Sequence, residues 1–337
     1  MRRRTALPFL LLVLTLALAG EAGTPHRVIA DSWTRVVLNG QMVPVRFNDG
    51  DSFRVMGGPL SGSQCRLSGF NTLESFGPAH QWGDWHPYEL YVNAKQATLN
   101  GRNGTWHCTT DGTRDGYGRL LLDCPDLAVS QISQGFAMAY MVDDNPTRPE
   151  YIRAQEEAIR HRRGMWAHGV PDYVMTSIHS ADEDPSRDSH YNRLISTRDG
   201  HSESMRHRNT YGVCEWVCND EIRADESAVR EVARGLRADA TMGPLVAEVP
   251  NYQLLEMVRR YARLTELPAY TPEALRPQLE PYLQQAAAAG RLGQTRTERG
   301  ACMLYVPFGR WYGGDRADCL RGHGTAPPGT RWHAARH

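Results

Sequence analysis

From residue 33 to about 168, apolar and polar positions alternate in short runs, broken by residues that tolerate positive φ. Residues 34–38, 42–47, 52–56 and 64–69 read as consecutive antiparallel strands, separated by Asn39-Gly40, Asp49-Gly50 and a glycine-rich turn at 57–62. The period then changes: Leu90, Tyr91, Ala94, Ala97 and Thr98 share one face of a helix over 85–100 that ends at Gly101. Two further strands are expected at 104–109 and 117–123, and a helix with a strand-like end over 129–140. An amphipathic helix follows over 149–166, opened by Pro149-Glu150 and closed by Arg160, His161, Arg162 and Arg163, whose charge complements the helix dipole.

The pattern predicts an α+β fold: a five-stranded, oligonucleotide-binding (OB-fold-like) β-barrel with flanking helices over 33–168, followed by a mainly α C-terminal domain over 170–321. Within the second region, residues 181–210 are polar and rich in Arg, His, Ser and Asp, a loop-rich module with a hairpin at 194–197. Residues 220–292 are helical by pattern, broken at Gly243-Pro244, Pro250, Pro268 and Pro272. Residues 302–308 and 310–319 read as a terminal hairpin, and 322–337 as a flexible tail.

Composition changes the picture in three ways. With 337 residues, 41% hydrophobic and 23% charged, the chain is globular and long enough for two domains. Arg2, Arg3 and Arg4 precede an apolar run that ends in Ala17-Leu18-Ala19, the layout of a secretory signal peptide over 1–19. A secreted or periplasmic chain with no stable membrane association is expected. Loss of those three arginines leaves 35 basic against 38 acidic residues, so overall charge does not steer the chain to a polyanion and a nucleic-acid site must be a local arginine cluster. Export makes the seven cysteines bridge partners: Cys108 and Cys124 flank a hairpin, Cys214 and Cys218 lie close together, and Cys302 and Cys319 bracket another hairpin, leaving Cys65 over. Cys214 and Cys218 have half the spacing of a zinc site, but no second pair follows. His80, His86, His107, His201 and His207 show no ligand spacing and read as surface residues.

Three short motifs carry candidate chemistry. They are Asp49-Gly50-Asp51-Ser52 in a turn, the stretch from Arg66 through Asn71 and Thr72 to Glu74, and Asp115-Gly116-Tyr117-Gly118-Arg119 at a strand start. In this order the chain resembles the staphylococcal nuclease (thermonuclease-like) family over about 33–168. The resemblance implies a secreted metal-assisted nuclease, with Arg66 and Arg119 on phosphate oxygens, Glu74 as the base toward water, and Tyr117 and Tyr140 flanking the nucleotide. It also implies Ca²⁺ held by Asp51, Asn71 and the Thr72 carbonyl. Two positions depart from the pattern: Asn71 replaces an aspartate and Leu73 a proline. The lost ligand charge predicts weaker calcium binding, with Asp49 as a substitute acid. Single-stranded or unpaired nucleic acid is the expected partner, and a catalytically inactive nucleic-acid- or protein-binding module on the same barrel is the alternative.

Overall fold

In the computed structural model, residues 34–307 and 319–320 are described, without the side chains of 295–298. The expected leader, the tail and most of the strand at 310–319 lie outside them. The hairpin pattern holds at the start: β1 (Thr34–Leu38) turns through Asn39-Gly40 into β2 (Gln41–Asp49), then β3 (Ser52–Val55) and β4 (Gln64–Leu67), each antiparallel to the last. Two short strands, β5 (Phe70–Thr72) and β6 (Ala79–Gln81), intervene before helix α1 (Pro87–Arg102). Helix α1 starts where His86 and Glu89 cap each other reciprocally.

Strands β7 (Trp106–Cys108) and β8 (Leu120–Leu122) add in parallel to β1 and β4, which gives a curled six-stranded sheet ordered β7-β1-β2-β3-β4-β8. Its two edges touch through a Thr109–Asp123 bridge with backbone bonds of 2.8 and 2.9 Å, and Cys108–Cys124 staples the same place. Helices α2 (Pro125–Ser133) and α3 (Pro149–Arg160), with β9 (Ala137–Ala139) paired to β5, cover the open side. Val36, Val45, Phe47, Phe53 and Leu67, the inward half of each strand's alternation, fill the concave face, and Ile132 of α2 packs against them.

The second region contains more strand than its pattern predicted. Strands β10 (Tyr173–Ser177), β11 (His190–Ser196) and β12 (Ser202–His207) form an antiparallel sheet through the stretch expected to be loop-rich. Polar residues at its inward positions hid the alternation. Asn192 is buried with its Oδ1 3.0 Å from His207 Nε2 and its Nδ2 donating to the Tyr211 hydroxyl at 2.9 Å. Strand β13 (Trp216–Ala224) precedes the helices α4 (Glu226–Ala238), α5 (Met242–Leu245), α6 (Asn251–Leu264) and α7 (Arg276–Ala288), whose apolar faces make their own core.

The first strand of the expected terminal hairpin takes part in long-range pairing, and its partner over 310–319 lies almost wholly outside the described residues. Strand β14 (Gln294–Leu304) lies antiparallel to β13 and, on its other side, to β6. This register sets Cys218 opposite Cys302, so the bridges are Cys218–Cys302 and Cys214–Cys319 and not the local pairs. Cys65 is free and buried. Leu73, Trp82 and Trp166 share one cluster with Tyr173, Ile195 and Met303, so residues before and after position 168 pack into a common core. Among the described residues no helix is long and apolar enough to cross a membrane.

Candidate functional site

The turn between β2 and β3 is organised by Asp49. Its Oδ1 accepts from the Asp51 N–H at 3.3 Å and from Ser52 Oγ at 2.7 Å. Gly50 is demanded by packing: a Cβ there would stand 2.6 Å from both Ala97 and Thr72 side-chain carbons, so α1 and β5 press directly on the turn.

Behind it lies a closed polar ring. Asp51, 3% exposed, pairs one oxygen with Arg66 Nη1 at 2.5 Å and accepts the Thr72 N–H on the other at 2.8 Å. Arg66 Nη2 donates to Asn71 Oδ1 at 2.5 Å, and Asn71 Nδ2 donates to the Thr72 carbonyl at 2.8 Å. Burial opposes the Arg66 charge, but Asp51 first, then Tyr140, Asp49 and Glu74, hold the guanidinium above its ordinary range. Asp49 goes the other way: burial first, then the Asp51 charge, push its carboxyl up to about 7 against the Ser52 bond and Arg66.

Glu74 is positioned by a residue that sequence spacing had put at the surface. His80 is 2% exposed and accepts the Glu74 N–H on Nε2 at 3.0 Å, while its Nδ1 lies 3.0 Å from the Met175 carbonyl. Accepting on Nε2 leaves the ring hydrogen on Nδ1, donated to Met175. His201 and His207 are likewise buried.

Arg119 reaches the same face from the neighbouring strand. In the parallel β4–β8 ladder Arg66 is level with Leu121, and Cys65, Leu67, Leu120 and Leu122 point into the core. Arg119, two residues before Leu121, therefore shares the outward side with Arg66. Its Nε donates to Asp115 Oδ2 at 2.7 Å, and Asp115 Oδ1 accepts the Tyr117 and Arg119 N–H groups at 2.9 Å each. These bonds hold the Asp115 carboxyl below its usual range despite the burial that would raise it. Tyr140 and Tyr117 flank the two arginines, with guanidinium-to-ring distances of 5.9 Å for Arg66 and 5.5 Å for Arg119.

Strand β11 adds Tyr191 and Arg193, which sequence reading had missed. A hydrogen bond to Tyr191 is the main cause that raises the Tyr117 phenol, and Tyr191 is lowered by bonds from Tyr117 and Arg193 against its own burial. Arg193 lies 5.3 Å from the Tyr191 ring centre and donates from Nη1 to the Val142 carbonyl and Ser202 Oγ at 2.8 Å each. The available signal was the spacing: Tyr191 and Arg193 are two apart, on one face of a strand.

The donor set implied for calcium does not fit that ion as arranged. Both Asp51 oxygens, Asn71 Oδ1 and the Thr72 carbonyl already accept hydrogen bonds, and the positive group among them is the Arg66 guanidinium. Of these donors, two side chains and one backbone carbonyl, only Asp51 is a carboxylate, whereas calcium sites gain affinity from ligand charge. Among the described residues no three His, Cys, Asp or Glu side chains gather as a metal site. The substitute acid, Asp49, spends an oxygen on its own turn. No family model and no curated protein matches this sequence.

Proposed function

We propose that the chain is an exported nuclease that holds a nucleic-acid phosphodiester against the β4–β8 face and hydrolyses it. The carrying observation is that Arg66 and Arg119 share one face of adjacent strands with the Glu74 charge acting on Arg66. Guanidinium groups present paired N–H donors that match phosphate oxygens and stabilise the charge gained during in-line attack. In this reading Glu74 takes the proton of the attacking water, the opposite P–O bond breaks, and the leaving oxygen is protonated from solvent. Tyr117, Tyr140 and Tyr191 supply stacking surfaces, which favours a single-stranded substrate with unpaired bases. The curled sheet with its bridged edges and inserted α1 supports an OB-fold-like barrel of the staphylococcal nuclease kind. Three disulfides support export to an oxidising compartment.

The test is cleavage of labelled single-stranded DNA and RNA by the purified chain, in calcium and in chelator. Arg119→Ala is expected to lower kcat/KM by about 10²–10³-fold. Absence of cleavage in every condition would sink the enzyme. One observation favours the second reading, a module that binds without cleaving: Arg66 is committed to Asp51 and Asn71. Binding that persists without cleavage and weakens in Arg119→Ala would select it.

A further inference from the structure

The outer face of the first sheet carries basic residues beyond Arg66 and Arg119. Between Thr34 and Leu67 the chain has Arg35, Arg46, Arg54 and Arg66, and its only carboxylates are Asp49 and Asp51 in one turn. Arg35, Arg46 and Arg54 occupy exposed positions in the alternation of β1, β2 and β3, so they point away from the core. The register sets them in a row. Arg46 stands opposite Arg54, Arg54 opposite Gln64, and in the parallel β4–β8 ladder Gln64 is level with Arg119. With strands about 4.8 Å apart, the row from β2 to β8 runs about 14 Å across the sheet, and Arg35 lies beyond it on β1, opposite Pro44.

Among the described residues Arg35, Arg46 and Arg54 have no hydrogen-bond or ion-pair partner. Like charges directly opposite each other destabilise a strand pair, so the fold gains nothing by setting Arg46 against Arg54. An anion laid between them removes that repulsion. Beside the row a groove of about 550 Å³ runs between the 61–63 turn and the 114–118 hairpin, with Arg54, Gln64, Arg114 and Tyr117 in its walls and no carboxylate. Tyr117 is 68% exposed and its ring centre lies 5.5 Å from the Arg119 guanidinium, so groove and phosphodiester face meet at this ring.

We infer that Arg46, Arg54, Gln64 and Arg114 form a track for the backbone of a single-stranded nucleic acid, which leaves the Arg66–Arg119 face past Tyr117 and crosses β4, β3 and β2 in turn. For the identity of the polymer the inference rests on the phosphodiester reading of that face; it adds where the strand runs. Guanidinium forks match phosphate oxygens, and an aromatic ring set among them stacks a base of any sequence. An acidic peptide would use the arginines but not the ring.

The probes are a labelled twenty-residue oligothymidylate and a labelled dinucleotide with one phosphodiester, titrated by fluorescence anisotropy at several salt concentrations. The full chain carries Glu74→Gln, so that the strand is not consumed. Arg46→Gln combined with Arg54→Gln is expected to weaken the long strand about tenfold at low salt and to flatten its log–log salt slope by about 1.4, two phosphate contacts at about 0.7 each. The dinucleotide should bind as before, and the unfolding midpoint should stay equal or rise because the opposed charges are gone. Arg119→Ala separates the two claims. If it weakens the long strand while the double variant does not, the track fails and the phosphodiester reading stands; if it changes neither ligand while the double variant weakens the long strand, the track stands and that reading fails. No saturable binding of the long strand, a double variant that is less stable, or displacement by polyglutamate as strong as by unlabelled oligothymidylate would also overturn the inference.

Discussion

Asp49→Asn isolates one half-buried carboxyl at the heart of the site. The amide keeps an Oδ1 acceptor for the Asp51 N–H and Ser52 Oγ, so the turn is preserved while the titration is removed. In the folded chain Asp49 is pushed from 3.8 up to about 7, by burial first and the Asp51 charge second. A carboxyl raised on folding contributes its stability fully below the unfolded value and loses it as pH rises through the folded one. Raising it from 3.8 to about 7 sets a ceiling of about 4 kcal/mol, and about 2–4 kcal/mol is expected because Asp49 and Asp51 titrate together. The assay is denaturant unfolding of both proteins, disulfides intact, from pH 4 to 8. Groups remote from the turn cancel in the difference between the two curves, which leaves Asp49 and the Asp51 that titrates with it. That difference should be near zero at pH 4 and grow in favour of Asp49→Asn up to pH 8. A difference that stays flat across this window would refute the argument.

Three more outcomes are expected. Asn71→Asp gives the Asp51, Asn71 and Thr72 donor set a second carboxylate and should tighten calcium binding measured by titration calorimetry; equal or weaker binding would show that Asp51, Asn71 and Thr72 are not a latent metal set. His80→Phe removes the acceptor for Glu74 N–H and the donor to Met175, with a stability loss of about 1–3 kcal/mol in chemical unfolding; if Glu74 is the base, kcat should also fall with KM unchanged. Non-reducing peptide mapping should recover Cys108–Cys124, Cys214–Cys319 and Cys218–Cys302, with Cys65 alkylated only after unfolding; a Cys214–Cys218 peptide would contradict this.

The legible parts of the chain were those whose structure is set locally. Asn39-Gly40 and Asp49-Gly50 announced hairpins because only certain residues fit such loops, and the helical period of α1 is written in Leu90, Ala94 and Ala97. Arg66 and Arg119 were legible as motif members, and the parallel β4–β8 ladder accounts for their common face. What stayed hidden was long-range. Nothing near Ala79 announces that β6 pairs with β14 more than two hundred residues later, and without that pairing His80 looks like a surface histidine. The β10–β12 sheet was obscured because its inward residues are polar and satisfied by one another, so composition there resembles a loop.

On the proposed reading the second region completes the face that the first begins, and the joint between them is held by backbone bonds. Backbone bonds run from Met141 to Gly200, from Ser202 to Asp143 and from Thr147 to Asp199 at 2.7, 2.8 and 2.9 Å. Gly200 has φ +76° and lies so close to Ala139 and Thr147 that a Cβ would meet them at 2.7–2.9 Å, so the turn after β11 cannot withdraw without breaking this contact. Beneath it His201 is fully enclosed. Asp199 and Glu203 raise its imidazole to about 10 against the burial that would lower it, so a charged ring bridges two carboxylates. A strand anchored in this way holds Tyr191 and Arg193 at fixed distance from Tyr140 and Tyr117 before any ligand arrives. An arginine already held by the Val142 carbonyl and Ser202 loses little further freedom on meeting a phosphate, which is where a preorganised site gains over a flexible one.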